Sequence, residues 1–180
     1  MVGFTKNIIS YKDKQPNIND RAYINPYAII IGDVIIHAGV SLWPGVIIRA
    51  FEEQVEIGRK SIILDNVFID SRKKFPVHIG EEVMVSHQVT IHGCKIGSGA
   101  VIGKNSNIQE GAVIGENSVI TDSAYVPSNT QIPPRSKFSG TLGKVIGQVT
   151  DGDIMQIKKK HAEIIKKSRE YGNWFVAKNI

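Results

Sequence analysis

Four residues of this 180-residue sequence, Arg49, Asp70, His92 and Gln109, share a position that places chemistry in one spot. Each follows directly after an aliphatic residue, namely Ile48, Ile69, Ile91 and Ile108. The intervals between them are 21, 22 and 17 residues, and each becomes 18 once local insertions and one deletion are removed. A guanidinium, a carboxylate and an imidazole stacked at one place offer metal ligation, proton transfer or anion binding. His87 stands 5 residues before His92 and belongs to the preceding segment, which puts it on another face. If a neighbouring subunit brought its own His87 to Asp70 and His92, two imidazoles and a carboxylate would suit Zn²⁺ or Fe²⁺ with open positions for water. The same residues also admit plainer roles: a corner histidine at a surface or interface, and an Asp70–Arg49 salt bridge along the column.

The elements that must position these groups follow from a six-residue period. Aliphatic residues recur at Ile18, Ile24, Ile30, Ile36, Leu42 and Ile48, and again from Ile96 through Ile102, Ile108, Ile114, Ile120, Val126 and Ile132 to Phe138. A small or branched residue stands four positions after most of them. This period fits neither an α-helix nor one long strand. It fits an all-β solenoid in which each hexad is a short flat strand plus a corner, three hexads to a coil. Residues 18 apart then stack about 4.8 Å from each other. The steps from Ile48 to Ile57 and from Ile69 to Ile79 are 9 and 10 residues, and the step from Ile91 to Ile96 is 5. The long steps predict polar loops at 50–56, with Glu52, Glu53 and Gln54, and at 71–77, with Arg72, Lys73 and Lys74. Such insertions gather at a binding face.

Composition agrees. Hydrophobic residues make up 42% but aromatics only 7%, which favours stacked flat strands over a bulky globular core. Residues 1–17 form a lead-in, with 1–9 expected to extend over the first coil. Pro133–Pro134 and the glycines at 140 and 143 mark the exit from the solenoid. Beyond them Thr150 and Asp153 resemble a capping box, Ile154, Ile157, Ile164 and Ile165 share one helical face, and Gly172 supplies a stop. The expected division is a solenoid with its lead-in over 1–146 and a C-terminal helix over 147–180, packed along the coils over strand edges or a neighbouring subunit. No signal-peptide pattern opens the chain and no apolar run approaches the roughly 20 residues of a membrane span. Cys94 is the only cysteine, so an intrachain disulfide is excluded and a cytoplasmic location is expected. Much of the net charge of +5 sits on Lys158, Lys159, Lys160, Lys166, Lys167 and Arg169 of the expected helix. Without an aromatic platform this reads as a solvated helix face, so neither nucleic acid nor membrane is expected as a partner.

Beyond the period, an ordered string of motifs resembles the γ-class carbonic anhydrases and their relatives among the hexapeptide-repeat proteins. It runs through Ile31-Gly32-Asp33-Val34, Ser41-Leu42-Trp43-Pro44-Gly45, Asp65-Asn66-Val67, Pro76-Val77-His78-Ile79-Gly80 and Ser86-His87-Gln88 to Ile91-His92-Gly93-Cys94. The resemblance spans residues 16–150 and implies a left-handed parallel β-helix, a C-terminal α-helix and a homotrimer. It also implies one metal ion, Zn²⁺ or alternatively Fe²⁺ or Co²⁺, at each subunit interface. Carried over residue by residue, His87 and His92 match two of the family's three metal-binding histidines, and Arg49 matches its active-site arginine. Where the third histidine stands in the family, this sequence has Asp70, so the implied ligand set is Asp70, His87 and His92. The resemblance further implies hydration of CO₂ to bicarbonate, with Arg49 placed to hold the anion and Glu52 placed to pass protons.

The departures cluster on the site. The family's Arg-Gly-Asp reads Arg49-Ala50-Phe51, its glutamine before Asp65 is Leu64, and its Ile-Gly-Met-Gly run reads Ile102-Gly103-Lys104-Asn105. A carboxylate in place of an imidazole makes a metal centre less electrophilic, and lost partners loosen the groups that orient water. The expectation is retained metal binding with weak or absent CO₂ hydration. Two other functions stay open: a hexapeptide-repeat acyltransferase using acetyl-CoA, and a non-catalytic trimeric scaffold.

Overall fold

Short parallel strands, most of them two or three residues long, stack in three flat faces around one core. The computed structural model describes residues 7–178, with side chains as far as residue 171. One face is an 8-stranded sheet that begins at Tyr23–Ile24 and ends with Lys144–Gln148. The other two faces share a 12-stranded sheet, because Ile29–Ile36 and Ile47–Ile57 run round the corner between them. The period is legible in the ladder: Ile30, Ile48, Ile69, Ile91, Ile108 and Val126 are successive partners. From Ile30 to Phe138 the hexad aliphatics are at most 3% exposed. The expected parallel β-solenoid with a C-terminal helix is therefore the observed architecture.

Corners need left-handed backbone, and asparagine or glycine supplies it at many of them. At Gly45 (φ 73°) a Cβ would lie 2.3 Å from Oδ1 of Asn66, so the asparagine of one coil packs on the bare glycine of the coil before.

Both insertions are more ordered than loops. The first stays inside the strand Ile47–Ile57, because Gly32 lets the Ala50 backbone approach and keeps the ladder paired as far as Gly32 with Ala50. Pairing resumes at Val34 with Val55, so Phe51–Gln54 bulge opposite Asp33. Asp33 accepts hydrogen bonds from Lys14 at 2.7 Å and Gln54 at 3.0 Å, which hold its carboxyl below the usual carboxylate range. The second insertion closes as a tight antiparallel bridge between Arg72 and Phe75, with N–H···O distances of 2.9 and 2.7 Å. Phe75 rests against Gly93, where a Cβ would come within 2.5 Å of the phenylalanine Cβ. The two insertions are tied together: the Glu53 amide donates to Ser71 Oγ and the Lys74 amide to Glu53 Oε1.

At the N-terminal end Ile8–Ile9 pairs with Ile30–Ile31 over the first coil, while the expected extension at 1–6 lies outside the described residues. The hexads run to Phe138 and the chain leaves the stack at the turn 140–143, as expected, while Pro133–Pro134 is a corner within the last coil. The stack continues to Ser136–Ser139, because a corner proline deprives the ladder of no donor it needs. The chain then returns antiparallel as Lys144–Gln148, and the expected boundary at 146/147 falls within that strand.

The helix spans Asp151–Lys178. Its first turn is capped as expected: the Asp153 amide donates to Thr150 Oγ1 at 3.1 Å, and the Thr150 amide donates to Asp153 Oδ2 at 2.8 Å. The Thr150 amide and hydroxyl, both donating to Asp153 Oδ2, together with Lys137 pull the pKa of that carboxyl down to about 2. Gly172 does not stop the helix, which continues to Lys178; one interior glycine costs about 1 kcal/mol, too little to end it. Ile164 and Ile165 pack on Ile62, Leu64 and Met84, so the helix covers the 8-stranded face of its own chain. His161 adds a bond from Nε2 to the Lys60 carbonyl at 2.8 Å. No helix among the described residues is long and apolar enough to cross a membrane.

Candidate functional site

The ladder brings three of the candidate residues together. Arg49 pairs with Asp70, and Asp70 with His92, as direct neighbours on successive coils. Each follows an inward isoleucine, so its side chain emerges at the same corner. The Asp70 carboxylate lies at the centre, with its side chain only 7% exposed. His92 Nδ1 is 2.5 Å from Oδ1, and Arg49 Nη2 is 3.3 Å from Oδ2. Gln109 follows Ile108, the partner of Ile91, and so continues the column, but its amide turns to Asn107 Oδ1.

A fourth group completes the cluster. Arg72, from the second insertion, places Nε 3.5 Å from Asp70 Oδ1 and Nη2 3.3 Å from His92 Nδ1. One ring nitrogen cannot both donate to the carboxylate and accept from the guanidinium. The shorter contact decides: His92 carries its proton on Nδ1 toward Asp70, and Arg72 acts on Asp70. His92 Nε2 is then left with the lone pair, and it makes no hydrogen bond among the described residues.

Aromatic rings wall the cluster. The Arg49 guanidinium lies 4.6 Å from the Phe68 ring centroid and 5.8 Å from that of Phe51. Phe68 also meets His92 edge-on at 6.2 Å. Arg49 Nε is buried and has no hydrogen-bond partner among the described residues. Glu52 is exposed on the bulge and lines, with Arg49, Phe51, Asp70 and Arg72, a cleft of about 410 Å³.

His87 stands apart. It lies at the corner before Thr90–His92, with Nδ1 3.0 Å from Asp65 Oδ2 and its side chain 44% exposed. Among the described residues no three His, Cys, Asp or Glu side chains gather tightly enough to hold a metal ion. The donor chemistry of the corner nevertheless fits one. A carboxylate on Nδ1 leaves Nε2 as the nitrogen for an ion, the arrangement common to metal-binding histidines, and Asp70 itself would reach that ion only by leaving His92 Nδ1 or Arg49. Cys94 takes no part: it is 1% exposed and burial pushes its thiol up to about 12.

Sequence reasoning missed Arg72 as a member of the site and Asp65 as the partner of His87. Asp65 and His87 are 22 residues apart, one coil once the second insertion is removed, so the same spacing argument applies to them. Arg72 carries no such signal, because it sits in the insertion that interrupts the period.

Comparison with known proteins gives three kinds of match. The family described as bacterial transferase hexapeptide (six repeats) matches residues 16–50 and 93–128. A protein of Methanocaldococcus jannaschii named probable carbonic anhydrase is 43% identical over 141 residues, covering 78% of this chain and 89% of that one. The carbonic anhydrase of Geobacillus kaustophilus is 35% identical over 164 residues, covering 91% of this chain and 90% of its own length. A crystal structure from Bacillus cereus, named as a proposed acetyltransferase, superposes with a TM-score of 0.91 at 31% identity, covering 93% of this chain and 97% of that one.

Proposed function

This chain belongs to the γ-class carbonic anhydrase-like family of hexapeptide-repeat proteins, and we propose that it is a homotrimeric metalloprotein that hydrates CO₂ weakly. One observation carries the reading: Arg49, Asp70 and His92 are ladder neighbours at a single corner. Two others support completion by another subunit. His92 presents an unpartnered Nε2, and Arg49 buries an Nε with no partner within the described residues of its own chain. A buried donor left unpaired costs about 1–3 kcal/mol, so a group from outside the chain is the economical complement.

The residues that would hold a divalent ion, Zn²⁺ or alternatively Fe²⁺ or Co²⁺, are His92, Asp70 and His87 of the partner subunit. Such an ion supplies Lewis acidity that makes water nucleophilic near neutral pH. The chain's own groups account for the rest. Phe51 gives CO₂ an apolar wall in the cleft, and the Arg49 guanidinium, held near the Phe51 and Phe68 rings, holds the bicarbonate anion that forms. Glu52, exposed at the cleft mouth, carries protons to solvent. Asp70 brings a negative charge where the family pattern has a neutral ring, and this opposes the build-up of acidity at the centre. Weak activity follows.

Metal analysis of purified protein, light scattering and stopped-flow CO₂ hydration test the proposal together. The expected result is a trimer carrying one divalent ion per subunit, with hydration that is measurable and slow. A protein that takes up no divalent ion and shows no hydration would refute it. The Bacillus cereus neighbour favours acyl transfer as a second reading, which calorimetric binding of coenzyme A would support. Both insertions are tight rather than long, which leaves that reading without a substrate loop.

A further inference from the structure

We infer that Arg72 is a built-in competitor of the metal ion, holding the Asp70 carboxylate that a divalent cation would otherwise claim. The inference rests on the proposed metal centre and assigns a role to a residue outside its ligand set. Oδ1 of Asp70 faces His92 Nδ1 at 2.5 Å and Arg72 Nε at 3.5 Å, while Oδ2 faces Arg49 Nη2 at 3.3 Å. Both carboxylate oxygens are therefore engaged, and the side chain is 7% exposed. For Asp70 to turn Oδ1 toward a metal ion it must leave both His92 and Arg72, and to turn Oδ2 it must leave Arg49.

Of the two guanidiniums, Arg72 is the one that lies close to both proposed ligands of this chain, since its Nη2 is also 3.3 Å from His92 Nδ1, where two donors face each other. Its side chain is 50% exposed, but the backbone that delivers it is held in place. The backbone at Arg72 is locked by two hydrogen bonds to Phe75, Phe75 is seated on Gly93, and Lys74 is tied to Glu53. A fixed positive charge beside the carboxylate also repels an incoming dication, and this repulsion adds to the competition for Asp70. Arg72 thus sets how tightly the centre takes up metal.

The test uses the full chain, stripped with chelator and titrated with Co²⁺ or Zn²⁺ against a chromophoric competitor. Arg72→Ala should bind the ion at least about tenfold tighter than wild type, the scale expected when one nearby like charge is removed. Arg72→Lys, which keeps the charge but loses the planar fork, should fall between the two. A second readout needs no metal: stripped Arg72→Ala should melt below stripped wild type, because Asp70 has lost a partner, and added ion should close the gap. Wild type and Arg72→Ala binding the ion equally would overturn the inference and leave the metal centre standing. Uptake by neither protein would overturn both. Tighter binding by Arg72→Ala with circular dichroism unchanged from wild type would support it.

Discussion

Replacing Asp70 tests the charge balance of the corner, and Asp70→Asn isolates it because the amide keeps an acceptor for His92. The carboxylate faces guanidiniums at 3.3 and 3.5 Å that are 40% and 50% exposed. Unit charges at that separation attract by roughly 5 kcal/mol at an effective dielectric constant near 20, and by roughly 1 kcal/mol in water. Half-exposed guanidiniums are well screened, which moves each pair toward the lower figure. Neutralising Asp70 also removes the penalty of burying its charge. The net expectation for Asp70→Asn is a loss of about 2 kcal/mol, or about 4–8 °C in Tm for a chain of this size. Thermal unfolding of metal-free protein at matched concentration measures it, since oligomerisation makes Tm depend on concentration. Asp70→His should lose as much when metal-free, then gain more than wild type on adding Zn²⁺, and it should hydrate CO₂ faster. Melting of Asp70→Asn within about 1 °C of wild type would show that the ion pairs do not hold the corner. A metal-loaded Asp70→His protein no faster than wild type would refute the argument that the carboxylate limits the chemistry.

Gly45→Ala forces a side chain into left-handed backbone and against Asn66, whose Oδ1 lies 2.3 Å from the point a Cβ would occupy; the expected cost is about 2 kcal/mol. Adding Asn66→Gly should recover part of that loss in a thermal melt, and no recovery would rule out the packing explanation. His161 lies on the buried face of the helix, and burial lowers its affinity for a proton below the usual histidine range. The unfolded chain therefore binds this proton more readily, so the stability His161 contributes is present above the ordinary value near 6.5 and is lost as pH falls through the lowered folded value. Melts of wild type and His161→Asn from pH 8 to 5 should show the wild type losing stability faster; parallel curves would refute it. Cys94, 1% exposed and with its thiol raised to about 12, should resist a thiol reagent at pH 8 until the protein is unfolded, and rapid labelling of native protein would contradict its burial.

The solenoid was legible because its core repeats one chemical demand. Every sixth side chain points inward, so aliphatic residues mark the strands, and counting the irregular steps is enough to place Arg49, Asp70 and His92 in register. What escaped the sequence depends on contacts outside that repeat. The stretch 50–56 reads as a polar loop, yet the bare face of Gly32 keeps Ala50 in the ladder and turns the insertion into a bulge. Pro133–Pro134 reads as the start of the exit, yet a corner tolerates proline and the stack continues. Gly172 reads as a helix stop, yet one glycine cannot outweigh a long helix. The site divides in the same way: groups that obey the 18-residue spacing were found, and Arg72, delivered by an insertion, was not.

That division has a physical consequence for how such a site can change. The hexad aliphatics are buried whatever the corners carry, so a corner residue can be exchanged without disturbing the stack. A histidine exchanged for aspartate, however, leaves a charge in a place that is 7% exposed, and a buried charge without partners is untenable. Arg49 alone, 40% exposed and stacked on Phe68, neutralises one oxygen of that carboxylate. The other is left to His92, which donates from Nδ1, and to Arg72. Asp70 and Arg72 are therefore best understood as one unit: the carboxylate is tolerable at this corner because the second insertion supplies a second cation. If the corner takes up the proposed ion, the same cation would stand between the carboxylate and the metal, so what stabilises the altered corner would also weaken it as a metal centre.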